Sequence, residues 1–183
     1  MAWFIPSEAF VNYGLKLEFI ISIHQQQTLN HELSKMLEIA SKLCEDEKYT
    51  QALKYYENIL QVEPDSIGVI IDYGVTLQNL ERYNQALAIY DRVLNLQPKN
   101  MNALINKGSV LHTLEKYSEA LSCYNIALNI DKNNPIVLAY KGLCIGETGN
   151  IRLAIKYFKK ALSIDNECEL AEISLATAKG ITK

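Results

Sequence analysis

Ten residues recur along this chain every 34 positions: EKYTQALKYY at 47–56, ERYNQALAIY at 81–90, EKYSEALSCY at 115–124 and a looser GNIRLAIKYF at 149–158. A fixed period of that length marks an array of one repeated supersecondary unit rather than a single closed core. The register extends well beyond the decapeptide. Small residues form one column (Ala40, Gly74, Gly108, Gly142), alanines a second (Ala52, Ala86, Ala120, Ala154) and aromatics a third (Tyr56, Tyr90, Tyr124, Phe158). Ile59, Val93, Ala127 and Ala161 follow, and then the aliphatics Val62, Leu96, Ile130 and Ile164.

Within each copy the apolar spacing is helical. Ile70, Tyr73, Leu77 and Leu80 make one stripe, and Ala86, Ile89, Tyr90, Val93 and Leu96 a second, separated by the polar Glu81-Arg82. Each copy closes on a turn signal: Pro64-Asp65, Pro98-Lys99-Asn100, Lys132-Asn133-Asn134-Pro135 and Asn166-Glu167. No segment reads as a strand, so the unit is helix–turn–helix and the chain all-α. Glycine inside a helix costs about 1 kcal/mol relative to alanine, so its recurrence predicts close helix approach. The alanine column is expected to face the glycines, with the aromatics filling the space beyond. One hairpin cannot bury both faces, whereas stacked hairpins form a right-handed superhelical solenoid held by nearest-neighbour contacts.

The pattern resembles the tetratricopeptide repeat (TPR) family. The matching features are the small residue of the first helix, the tyrosine at the turn (Tyr49, Tyr83, Tyr117), the alanine, the aromatic, and the closing Pro64 and Pro98. The resemblance covers Leu33 to Cys168 and implies four repeats, 33–66, 67–100, 101–134 and 135–168. Repeat four departs at Ile151 and Gly149 and lacks the closing proline; repeat three has Lys132 where the proline would fall.

The ends lie outside this register. Residues 1–32 do not continue it: shifted back by one period, the small column falls on Pro6, the alanine on Glu18 and the aromatic on Ser22. Ser7-Glu8 suits a helix start, and Phe10, Tyr13, Leu17, Ile20, Ile21 and His24 form an apolar stripe. The segment reads as a helix folded against repeat one as a cap, or as a docking or self-association helix, given its further Trp3 and Phe4. Residues 169–183 read as a capping helix or the first half of a truncated fifth repeat. Leu170, Ile173 and Ala176 form its inner side, Glu169, Glu172, Ser174, Thr177 and Lys179 its wet side, and Gly180 a C-cap.

Composition excludes several function classes. A net charge of −3 gives no field to recruit nucleic acid or an anionic membrane. Charge is uneven: five Lys/Arg against ten Asp/Glu up to Ser66, then thirteen against eleven. Cys44, Cys123, Cys144 and Cys168 form no CxxC pair, and His24, His31 and His112 have no zinc-like spacing. Neither a metal nor a cofactor is expected, and the thiols read as reduced in a cytoplasmic protein. The N-terminus lacks a basic leader, and its apolar runs, FIISI among them, are far short of the ~18 residues of a membrane helix. Serines lack a GxSxG context. Gly142, Gly146 and Gly149 fall within a first helix and its turn rather than a phosphate loop. The acidic run Glu45-Asp46-Glu47 and the lysines Lys156, Lys159 and Lys160 read as solvated faces. No catalysis is expected.

In the family, the first helices line a concave groove that takes an extended peptide or partner helix. Carried over, the groove residues are Leu37, Glu38, Ser41 and Glu45; Ile71, Asp72, Val75 and Asn79; Asn102, Ile105, Asn106, Ser109 and His112; and Ile136, Tyr140 and Leu143. Ser34, Gly68, Thr113, Ala139 and Glu147 also point inward in that alignment. Co-chaperone members hold a C-terminal carboxylate with Lys, Arg and Asn; Glu38 and Asp72 here would repel it, so a chaperone clamp is not expected. The acidic end (Glu38, Glu45, Asp72) and the apolar end (Ile136, Tyr140, Leu143) favour a basic and aliphatic partner segment. Asn102 and Asn106 suit its backbone. The expectation is a protein-binding adaptor; the alternative is a homo-oligomeric scaffold joined through the N-terminal helix or the solenoid ends.

Overall fold

The computed structural model describes the chain from Ser7 to Ile181, with side chains at Ser22 and from His24 to Gly180. Among the described residues there are helices and no strand. They are α1 (Ser7–Glu45), α2 (Tyr49–Val62), α3 (Ile67–Asn79), α4 (Tyr83–Leu96), α5 (Met101–Thr113), α6 (Tyr117–Ile130), α7 (Pro135–Glu147), α8 (Ile151–Ile164) and α9 (Glu169–Ile181). These helices divide into two compact units between Val62 and Glu63.

The first unit is the α1–α2 hairpin, which buries Leu33, Ala40, Ala52, Leu53, Tyr56 and Ile59. Helix α1 has 39 residues against the 14 of α2. From His24 to Glu32 only Leu29 is even half-buried, and the helix is braced locally by Gln26 Nε2 donating to Asn30 Oδ1 (3.0 Å) and Thr28 Oγ1 to the His24 carbonyl (2.9 Å). The expected separate capping helix is therefore corrected. HQQQTLNHE contains no Pro or Gly to break the helix, so residues 7–32 prolong α1 instead of folding back on it. Trp3, Phe4, Phe10, Tyr13, Leu17, Ile20 and Ile21 lie outside the described side chains.

The second unit stacks three hairpins, α3–α4, α5–α6 and α7–α8, and ends in α9. Each turn uses the same device. After α3, Glu81 adopts a left-handed φ of 57°, its N–H meets the Gln78 carbonyl (2.9 Å), and the Arg82 N–H meets the Leu77 carbonyl (2.9 Å). That is the Schellman arrangement, in which a left-handed residue closes the last turn. Glu115 (φ 59°) and Gly149 (φ 91°) do the same after α5 and α7. The turn asparagines start the next helices: Asn100 Oδ1 accepts from Ala103 N–H, Asn134 Oδ1 from Val137 and Asn150 Oδ1 from Leu153.

The glycine column has a different cause from the one expected. A Cβ on Gly74, Gly108 or Gly142 would stand 2.7, 2.5 or 2.6 Å from Cε1 of Tyr90, Tyr124 or Phe158. The aromatic ring, not the alanine column, is what lies against the glycine. Two core clusters gather around the Tyr124 and Phe158 rings. Leu104, Leu111, Ala120, Cys123, Tyr124, Ala127, Val137 and Cys144 form one cluster, and Leu138 through Ala178 another that includes Phe158, Ala161 and Ala171.

Leu96, Ile130 and Ile164 end the second helices well exposed, as does Val62 in the first unit. Two further expectations are corrected. Helix α9 buries Ala171, Ser174 and Ala178, with Leu170 and Leu175 half-buried, and leaves Ile173 (58% exposed) and Ala176 outside. Ser174 tolerates burial because its hydroxyl donates to the Leu170 carbonyl (2.6 Å). Gly180 does not cap α9, which runs through it to Ile181.

Within this unit the first helices touch one another, α3 to α5, α5 to α7 and α7 to α9. Each second helix packs between first helices, and no comparable contact joins one second helix to the next among the described residues. Elements that crowd on one edge and separate on the other produce a curved stack, with α3, α5, α7 and α9 on its inner side. No helix among the described residues is long and apolar enough to cross a membrane.

Candidate functional site

The first helices of the second unit carry most of the residues singled out by the repeat register. On α3, Asp72 and Asn79 are exposed and Ile71 and Val75 half-buried; on α5, Asn102 is exposed and Ile105, Asn106 and Ser109 half-buried; on α7, Ile136 is exposed and Tyr140 and Leu143 half-buried. Leu37, Glu38, Ser41 and Glu45 lie on α1 in the first unit, all exposed except the half-buried Leu37. Ala139 is fully buried and presents nothing.

Register and helix contact together put Asp72, Asn106 and Tyr140 at equivalent places on three successive touching helices. Burial of its surroundings raises the Asp72 carboxyl above the ordinary carboxylate range, although the side chain itself remains exposed. Tyr140 stacks on the buried Tyr124 ring (centroids 5.6 Å apart, planes 8°), which fixes its orientation. Ile105 likewise rests on the core.

His112 behaves differently from its neighbours. Its ring meets Tyr117 edge-on at 5.5 Å, and its Nε2 is buried without a hydrogen-bond partner, so that atom is not offered to the inner surface. In repeat two the equivalent Gln78 Oε1 accepts from the Tyr90 hydroxyl at 3.3 Å, whereas the Tyr124 hydroxyl finds no partner. Burial also pushes the Tyr90 and Tyr124 hydroxyls well above the ordinary phenol value.

At the α7–α8–α9 end the inner side opens into a cavity of about 330 Å³. Leu143 and Glu147 line it, as the register suggested, but so do Gly146, Ile151, Phe158, Ile173 and Thr177. The α9 residues were missed because the buried side of that helix was placed on Ile173. One more step of 34 carries Leu143 to Thr177 and Ala139 to Ile173, so the signal was present. Among the described residues, no three His, Cys, Asp or Glu side chains gather as a metal ion would require. The four thiols are free of disulfides, and burial raises those of Cys123 and Cys144, the latter up to about 12.

A hairpin array of this kind, curved and lined by its first helices, defines a repeat-type interaction scaffold. Tetratricopeptide repeat models match residues 43–106 and, separately, 102–134 and 141–168. The chain belongs to the tetratricopeptide repeat family. Among curated protein sequences none matches it. Among solved structures it is similar to TTC0263, a thermophilic TPR protein of Thermus thermophilus, at 18% identity and a TM-score of 0.73, with 82% of each chain covered. It is also similar to MamA (residue 41 to the end) of Desulfovibrio magneticus RS-1, at 21% identity and 0.70, covering 82% of this chain and 85% of that one. The first TPR of Spaghetti (RPAP3), solved bound to the HSP90 peptide SRMEEVD, is similar at 18% and 0.59, covering 63% and 92%. At these identities the likeness concerns the fold.

Proposed function

We propose that the protein is a non-catalytic cytoplasmic adaptor that binds an extended segment or helix of another protein on the inner side of its solenoid. The supporting observation is the aligned row of Asp72, Asn106 and Tyr140 on three touching helices. A carboxylate stands at one end, an amide able to bond a peptide backbone in the middle, and a ring fixed from beneath at the other. The repeats are read as 33–66, 67–100, 101–134 and 135–168, with residues 169–183 closing the last. Leu37, Glu38, Ser41 and Glu45 hold the corresponding places in repeat one. A basic and aliphatic segment suits this row better than an acidic tail, because Asp72 would repel a carboxylate brought beside it. Affinity capture with the wild type and with Asp72→Lys/Asn106→Ala tests the reading. A partner lost by the variant supports it, and identical partners on both refute it.

A second reading rests on α1. Its stretch from His24 to Glu32 is a helix with almost nothing packed on it, a surface through which copies of the chain would assemble. Sedimentation of the full chain against a version lacking residues 1–30 separates the two. A concentration-dependent oligomer that vanishes on truncation favours assembly, and a monomer in both cases excludes it.

A further inference from the structure

The cavity at the end of the second unit arises from two substitutions in the repeat. In repeat two the space against the aromatic ring is filled by Gln78, which accepts from the Tyr90 hydroxyl. In repeat four the same two places hold Gly146 and Phe158, so a side chain and a hydroxyl are both missing, and both residues line the 330 Å³ void. Nothing in the packing demands glycine at 146. A Cβ there would meet Ala154 Cβ at 3.5 Å, an ordinary contact, and the backbone is not left-handed. Gly142, by contrast, is forced by the Phe158 ring at 2.6 Å. Gly146 is the penultimate residue of α7, and a glycine in the last turn that sterics do not require weakens the helix end and keeps the void open. Leu143, Ile151, Phe158 and the exposed Ile173 make the lining apolar, and no Lys or Arg takes part in it. The Glu147 carboxylate in that lining has no ion pair among the described residues. An apolar cavity of about 150 Å³ holds a benzene-sized group. The volume here suits one large aliphatic or aromatic side chain, and an open mouth suits a side chain delivered from a protein surface.

We propose that this cavity is an anchor pocket for an apolar side chain of a partner protein, flanked by a Lys or Arg that pairs with Glu147. The pocket rests on the adaptor reading above and names a contact outside the Asp72–Asn106–Tyr140 row. α9 then forms one wall of the binding site as well as covering the last hairpin.

The test is selection of displayed random peptides on the full chain, followed by fluorescence anisotropy with the enriched synthetic peptides. Enrichment of Leu, Ile, Met or Phe next to Lys or Arg is expected. Gly146→Gln, which restores the repeat-two residue, should weaken binding by about tenfold or more while raising the thermal midpoint, a combination that a purely structural glycine would not give. Glu147→Lys should weaken the cationic peptides and be rescued by peptides with Glu at that position. Peptides that bind equally to wild type, Gly146→Gln and Glu147→Lys but are lost on Asp72→Lys/Asn106→Ala overturn the pocket and leave the adaptor reading standing. Selection of no binding peptide overturns both.

Discussion

Replacing Gly108 with alanine inverts the usual preference of a helix. Alanine favours a helix interior by about 1 kcal/mol over glycine. Here its Cβ would stand 2.5 Å from Tyr124 Cε1, 2.8 Å from Cζ and 3.1 Å from Cδ1, where carbon pairs rest at about 3.5–4.0 Å. The ring must retreat by roughly 1 Å. Tyr124 is completely buried and stacked on Tyr140, so the displacement spreads to a second side chain. Overpacking of this kind costs about 1–3 kcal/mol. Set against the propensity gain, the net loss is about 1–2 kcal/mol at the upper part of that range, a fall of several degrees in thermal midpoint for a chain of this size. Urea unfolding of Gly108→Ala, Tyr124→Leu and the double variant measures it as a coupling energy. With the ring gone, the alanine should stabilise. A Gly108→Ala variant at least as stable as wild type, or one equally harmful in the Tyr124→Leu background, would refute the ring as the cause. Gly68→Ala, with nothing within 4 Å of the new Cβ, is the control and should gain stability.

Glu81→Gly and Glu115→Gly should each stabilise by about 0.5–1 kcal/mol in urea unfolding, since both glutamates hold left-handed backbone, and Gly149→Glu should lose a similar amount. Tyr90→Phe should cost about 1 kcal/mol by stranding Gln78, whereas Tyr124→Phe should be neutral or stabilising because its hydroxyl has no partner; melting curves of the two variants distinguish them. Stability should also fall in alkali. The Cys144 thiol rises from its ordinary 9.0 to about 12 through burial, so the unfolded chain loses its proton first as pH passes 9.0. Its contribution is therefore fully present below that point and is lost as pH climbs towards 12. Urea midpoints measured from neutral pH into alkali should decline, and Cys144→Ala should flatten the decline.

The hairpins were legible because their signals are local and repeated. The aromatic and alanine columns recur in every copy, the turn tyrosines in three of the four, and Asn100 and Asn134 stand one period apart at equivalent helix starts. What was not legible depends on partners that a period cannot name. Glycine at 74, 108 and 142 could have answered to any close neighbour, and only the ring positions show which. Leu96, Ile130 and Ile164 share a column with no buried counterpart, so hydrophobicity alone does not say whether they are covered. On α9 two alternations of small and apolar residues compete, and the one that buries Ala171, Ser174 and Ala178 prevails because a serine can satisfy itself against its own helix. The equivalence of Asp72, Asn106 and Tyr140 follows from the register alone. The Gly146 cavity needed the comparison of unlike residues at like places, Gln78 with Gly146 and Tyr90 with Phe158.

The uneven edges of the second unit have a mechanical consequence. Its first helices bear on one another while its second helices have no comparable contact among the described residues, so bending that widens or narrows the outer edge disturbs fewer links there. The stack is an asymmetric spring, stiff along the inner line and compliant along the outer. A load applied to the inner surface changes the pitch of the coil before it separates any hairpin from the next.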